Sequence, residues 1–60
     1  MTKRRELIRE LQRAGFILVP GTNGPHDKFT NGKQTVPVPR HREISEGTVR
    51  KIRRDAGLIG

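Results

Sequence analysis

Leu7, Ile8, Leu11 and Ala14 fall at i, i+1, i+4 and i+7, the spacing of one apolar face of a helix. The pattern predicts a helix over residues 3–14, with Thr2 as N-cap, its hydroxyl accepting from an otherwise unpaired first-turn amide. Arg5, Arg9 and Arg13 step along a different, solvent-facing line. Gly15 is the left-handed residue that ends many helices, and Phe16 after it can pack back onto Leu11. Phe16 to Val19 is short, β-branched and ended by Pro20-Gly21, which suits a first strand. Residues 21–25 read as a loop, with Gly21 and Gly24 able to take positive φ. His26 to Thr30 is a second strand, Asn31-Gly32 a tight hairpin signal, and Lys33 to Val38 a third strand with Val36 and Val38 on one face. Pro37 and Pro39 cannot donate to a ladder, so that strand lies at an edge or breaks there. Arg40 to Ile44 reads as connecting chain. Ser45 then caps a second helix with Val49, Ile52 and Ala56 inward, closed by Gly57 and Leu58.

The order is therefore α-β-β-β-α, an α+β class: a three-stranded antiparallel meander with both helices on one face. Residues 1–60 form a single small domain. The two helices can cover only one sheet face, so the other stays wet or meets a ligand. A quarter of the 60 residues are Leu, Ile, Val or Phe, above the roughly 20% below which a charged chain stays disordered. A domain this size still buries only about 60% of the surface of its unfolded chain. With no Cys there is no disulfide to compensate, so stability should lean on a partner or on self-association. The longest apolar run is Phe16-Ile17-Leu18-Val19, far short of the roughly 18 residues of a membrane span. The basic N-terminus lacks the apolar core of a secretory signal. Both features, and the lack of Cys, fit a cytoplasmic protein with no membrane partner.

Charge narrows the function. Thirteen Lys and Arg against six Asp and Glu leave a formal +7, which points to a polyanion: nucleic acid first, an acidic protein second. The cations form two groups, Lys3, Arg4, Arg5, Arg9 and Arg13 on the first helix and Arg50, Lys51, Arg53 and Arg54 on the second. A charge run is usually a solvated face, but this excess implies that one group meets phosphate or an acidic partner. The two aromatics, Phe16 and Phe29, both read as core, which argues against single-strand recognition by base stacking. The helices are not adjacent in sequence, as a helix-turn-helix requires.

His26 is the main candidate for chemistry. Strand alternation puts His26, Lys28 and Thr30 on one face and Asp27, Phe29 and Asn31 on the other. Phe29 marks the core side, so His26 faces outward beside Lys28. From spacing alone it reads first as a surface histidine without a task. The functional alternative is acid–base work on RNA, because an imidazole exchanges protons near neutrality. RNA carries its own nucleophile, the 2′-hydroxyl, so a protein cutting it need only hold the backbone, relay a proton and stabilise phosphate charge. Lys28 suits the last role. Gly24 is explained first by a turn, and otherwise by a backbone amide offered to a phosphate. Arg40 and His41 follow the third strand, where His41 could be a second proton-transfer group or a phosphate contact. With Arg5, Arg9, Arg50 and Arg54 they complete the candidate RNA contacts. His26 and His41 lack companion carboxylates at ligand spacing, so no metal or other cofactor is expected. A non-catalytic RNA-binding module on the same scaffold remains the alternative.

The chain resembles HicA-type (YcfA-like) toxins over nearly its whole length. The resemblance rests on Gly24-Pro25-His26, on Val36-Pro37-Val38-Pro39 and on the ending Gly47-Thr48-Val49-Arg50-Lys51-Ile52-Arg53-Arg54-Asp55-Ala56-Gly57-Leu58, with Leu7-Ile8, Leu11 and Gly15-Phe16 in support. It implies a double-stranded-RNA-binding-like fold and an mRNA-cleaving endoribonuclease that blocks translation. It also implies a type II toxin–antitoxin system, with a HicB-type antitoxin masking the site in a hetero-oligomer. The family's catalytic histidine maps onto His26 and its preceding glycine onto Gly24. Family members often read Gly-Ser-His-His where this chain reads Gly-Pro-His-Asp, so Asp27 brings a negative charge next to the histidine in sequence.

Overall fold

The computed structural model describes residues 1–21 and 24–58. Thr22 and Asn23, in the loop read over 21–25, lie outside the described residues. In chain order the elements are β1 (Thr2–Lys3), α1 (Arg4–Arg13), β2 (Ile17–Leu18), β3 (His26–Thr30), β4 (Thr35–Pro39), β5 (Glu43–Ile44) and α2 (Glu46–Asp55). Strands β2, β3 and β4 form the expected antiparallel meander in that order. His26 faces Pro39, Lys28 faces Pro37 and Phe29 faces Val36 across β3 and β4. Both prolines therefore sit on an edge strand, where a missing N–H costs least.

The core is built from one side of that sheet and the inner faces of the two helices. Leu7 and Leu11 of α1, Phe29, Val36 and Val38 of the sheet, and Val49, Ile52 and Ala56 at α2 are all buried in one cluster with Phe16 and Ile44. Both helices end in the same way. The Phe16 N–H donates to the Leu11 carbonyl (2.9 Å) and the Gly15 N–H to Gln12 (3.0 Å); Leu58 to Arg53 (2.8 Å) and Gly57 to Arg54 (3.0 Å) repeat the pattern. This is the Schellman geometry, which needs a left-handed residue, and Gly15 supplies it at φ 92°. Each closure turns an apolar residue, Phe16 or Leu58, back onto the core.

Several expectations are corrected. Thr2 does not cap α1: Lys3 is the N-cap residue, without a side-chain bond. Thr2 instead pairs with Ile44 in a second, two-stranded sheet of β1 and β5, so the segment read as a connector contains a strand. The Thr2 hydroxyl donates to Glu46 (2.9 Å to Oε2), which also meets the N-terminal amine at 3.3 Å. Ser45 is the N-cap residue of α2 by backbone geometry, but its hydroxyl donates to Thr48 Oγ1 (3.0 Å) rather than capping an amide. Ala14 is exposed past the helix end. In the run 16–19 Phe16 is the buried member, while Ile17 and Leu18 are 66% and 51% exposed on an edge strand. The β3–β4 turn takes four residues, Asn31 to Gln34, because Asn31 Oδ1 accepts from the N–H groups of Lys33 (2.9 Å) and Gln34 (2.7 Å). β4 thus starts at Thr35 rather than Lys33. No described helix is long and apolar enough to cross a membrane.

Two glycine substitutions should move stability in opposite directions. Gly15→Ala forces a side chain into a left-handed position and should cost about 1 kcal/mol. Gly47→Ala, in the first turn of α2 with no neighbour near the added methyl, should add about 0.5 kcal/mol. Urea denaturation with unchanged m-values checks both. The Thr2 hydroxyl, followed by the N-terminal amine, holds the Glu46 carboxyl below its ordinary range. A depressed carboxyl pKa contributes stability at neutral pH that is lost as pH falls through it. The stability gap between wild type and Glu46→Gln should therefore close between pH 6 and strongly acid solution, read as Tm against pH.

Candidate active site

The sheet face away from the helices carries the candidate chemistry. His26 and Lys28 are exposed on β3, and Phe29 between them and the turn is buried. Paired residues in an antiparallel ladder point the same way. The register therefore gathers His26, Lys28, Pro37, Pro39 and Thr30 on one open face, with Ile17 of β2 beside Thr30. The predicted outward pairing of His26 with Lys28 is what the fold delivers. Gly24, two residues before His26, is exposed at φ 112°, a conformation open to glycine and strained for other residues.

Asp27 does not share that face. It is half-buried on the core side, where the Arg4 guanidinium of α1 meets Oδ2. Arg40 donates from Nε (3.0 Å) and Nη2 (2.9 Å) to Oδ1. Arg4 Nε also donates to the Pro39 carbonyl (2.9 Å), the residue opposite His26. One carboxylate therefore ties the start of α1, the start of β3 and the end of β4 together. Its charge is compensated by two guanidinium groups and turned away from the imidazole.

The remaining candidates are scattered. Arg5 and Arg9 are exposed on α1, and Arg50 and Arg54 on α2. These helices pack on the opposite side of the sheet from His26. Arg53 is committed across the helix pair, with Nη2 3.0 Å and Nε 3.1 Å from Glu10 Oε1. His41 is exposed in the turn between β4 and β5. Arg5 and Arg40 both line a cleft of about 700 Å³, together with Lys3, Arg4, Arg42 and Glu43. The sequence places Lys3 and Arg4 only in the basic group of the first helix and gives Arg42 no role, because the β1–β5 pairing that brings residues 3 and 43 together spans forty residues with no periodicity to mark it.

The fold superposes on a chain in a toxin-antitoxin complex from Streptococcus pneumoniae with a TM-score of 0.81 and 30% identity, covering 97% of this chain and 100% of that one. Residues 4–58 match the family model for the HicA toxin of bacterial toxin-antitoxin, and the chain belongs to the HicA toxin family. No curated protein sequence matches it significantly.

The Asp27 tie predicts a measurable stability loss. Asp27→Asn leaves two guanidinium groups without their carboxylate and should destabilise the fold by about 1–2 kcal/mol in urea. Arg40→Gln, which removes the more exposed partner, should cost less than Arg4→Gln.

Proposed function

We propose that this HicA-family toxin is a metal-independent mRNA endoribonuclease with His26 as its general acid or base. The observation that carries the proposal is the pairing of an exposed His26 with Lys28 on a sheet face that no described element covers. In the reaction the 2′-hydroxyl oxygen attacks the adjacent phosphorus and forms a new P–O bond. The bond to the 5′-oxygen breaks, leaving a 2′,3′-cyclic phosphate and a 5′-hydroxyl. One proton leaves the 2′-hydroxyl and one reaches the departing oxygen; His26 handles one of these transfers, and solvent or a second group the other. Lys28 stabilises charge on the phosphate oxygens, and the Gly24 amide and exposed arginines hold flanking phosphates.

The difference between Gly-Pro-His-Asp and the common Gly-Ser-His-His does not oppose this reading, since Asp27 is neutralised on the other side of the strand. A HicB-type antitoxin is the partner we propose, covering the open face in a hetero-oligomer; the similar pneumococcal structure is itself a toxin–antitoxin complex. For a chain this small, such binding would stabilise the fold by mass action.

The test compares wild type and His26→Ala on one long mRNA in excess chelator, with folding checked by circular dichroism. A lone general acid or base contributes on the order of 10²–10⁴-fold, so the variant should lose at least a hundredfold in cleavage rate and keep its spectrum. Equal cleavage by both would remove His26 from the site. RNA binding without cleavage by folded wild type would make the protein a non-catalytic binding module.

A further inference from the structure

The cleft between the β1–β5 ribbon and the start of α1 lies off the His26 face, and its charge is not balanced by the protein. Lys3, Arg4, Arg5, Arg40 and Arg42 line it, with Glu43 as the acidic member. Arg4 and Arg40 share Asp27. Lys3, Arg5 and Arg42 have no ion-pair partner among the described residues. Counting Asp27 and Glu43 against the five cations leaves three positive charges in excess. Gathering like charges in a concavity costs free energy in the empty protein and focuses its field into the cleft. Lys3, Arg5 and Arg42 are exposed, so their charge is free to meet an anionic ligand.

The cleft is also held in shape. The Arg4 N–H donates to the Arg42 carbonyl (2.8 Å), Lys3 faces Glu43 across the ribbon, and Arg4 is fixed by both Asp27 and the Pro39 carbonyl. At about 700 Å³ it has the volume of a nucleotide-sized site. Its position selects the ligand. Arg40 follows Pro39, the register partner of His26, so the cleft opens at the end of the sheet where the imidazole stands. A polymer of regularly spaced phosphates is long enough to engage both the open face and the cleft at that end of the sheet. An isolated acidic segment has no comparable reason to join the two.

We propose that this cleft is a phosphate-backbone site that grips RNA on nucleotides flanking the bond presented to His26, with Lys3, Arg5 and Arg42 making the contacts. The proposal rests on RNA being the substrate, but not on cleavage. Its test measures binding of a labelled single-stranded RNA by fluorescence anisotropy, in chelator, from 50 to 200 mM salt, in the His26→Ala background so that the probe stays intact. Each phosphate contact on a single strand contributes about −0.7 to the slope of log K against log salt. The combined Lys3→Gln, Arg5→Gln and Arg42→Gln variant should therefore flatten the slope by about 2. Lys33→Gln, in the turn at the far end of the β3–β4 hairpin, should leave it unchanged. If the combined variant fails to fold, Arg42→Gln alone should flatten the slope by about 0.7.

A folded combined variant with the wild-type slope overturns the proposal. So does one that keeps RNA binding and loses binding to polyglutamate, which would assign the cleft to an acidic protein segment. Flattening in a protein whose wild type cuts nothing supports the cleft and removes the nuclease reading. Cleavage by wild type with an unchanged slope in the variant removes the cleft alone.

Discussion

Among the described residues ten buried side chains form the core, and ten are enough to cover one side of a three-stranded sheet. Phe29, Val36 and Val38 turn inward to meet Leu7, Leu11, Val49 and Ile52; their neighbours His26, Lys28 and Pro37 must then point outward. Among the described residues there is no second layer of apolar chain to bury them. The open face follows from the shortage of core material as directly as the core follows from the periodicity. In a larger domain an uncovered sheet face would be one surface among many. Here it is half of what the sheet presents.

The same shortage governs the charges. A surplus of seven positive charges on 60 residues opposes compaction, and three of the six carboxylates join elements. Glu10 ties α1 to α2 through Arg53, Glu46 meets β1 through Thr2, and Asp27 joins α1 to both long strands through Arg4 and Arg40. Each is partly exposed, so none compares with burying a large apolar side chain. Their value is geometric: each fixes the position of one element against another. What remains after these pairings is a set of cations with no internal task, and some of them share the cleft at the His26 end of the sheet.

Much of this architecture was legible in the sequence because local signals agree with it. Leu7 and Leu11 followed by Gly15-Phe16, and Val49, Ile52 and Ala56 followed by Gly57-Leu58, each state a helix, its buried face and its stop within a few residues. Period two around Phe29 and the valines set the face of His26 and Lys28. The failures share a cause. The β1–β5 ribbon has two residues on each side, too few for any periodicity, and its partners are some forty positions apart. Thr2 was a reasonable cap in local terms, and tertiary pairing with Ile44 took it elsewhere. The Asn31-Gly32 signal marked the turn but not its length, which Asn31 decides by accepting two amides. Asp27 beside His26 in sequence reads as a charge beside the imidazole; in space the strand turns it to the other face. The cleft combines all of these long-range effects: among its cations Arg5 and Arg40 were legible as candidate contacts, Lys3 and Arg4 only as members of a basic helix group, and Arg42 not at all.

Asp27 also connects the two candidate regions. In the proposed function, a carboxylate next to His26 would repel the substrate if it shared its face. Placed on the core side, it instead pairs with two of the five cations that line the cleft, while Arg4 also reaches the Pro39 carbonyl. That bond fixes the strand position opposite His26. The uncompensated cations, Lys3, Arg5 and Arg42, stay at the cleft wall, while the compensated pair forms its support. In the proposed function, a long phosphate polymer is held at one end by charge that the fold does not consume and presented at the other to an imidazole whose strand is anchored by charge that it does. With so small a core, positioning of this kind has to come from ion pairs and backbone bonds at the sheet end, because no apolar layer is available to provide it.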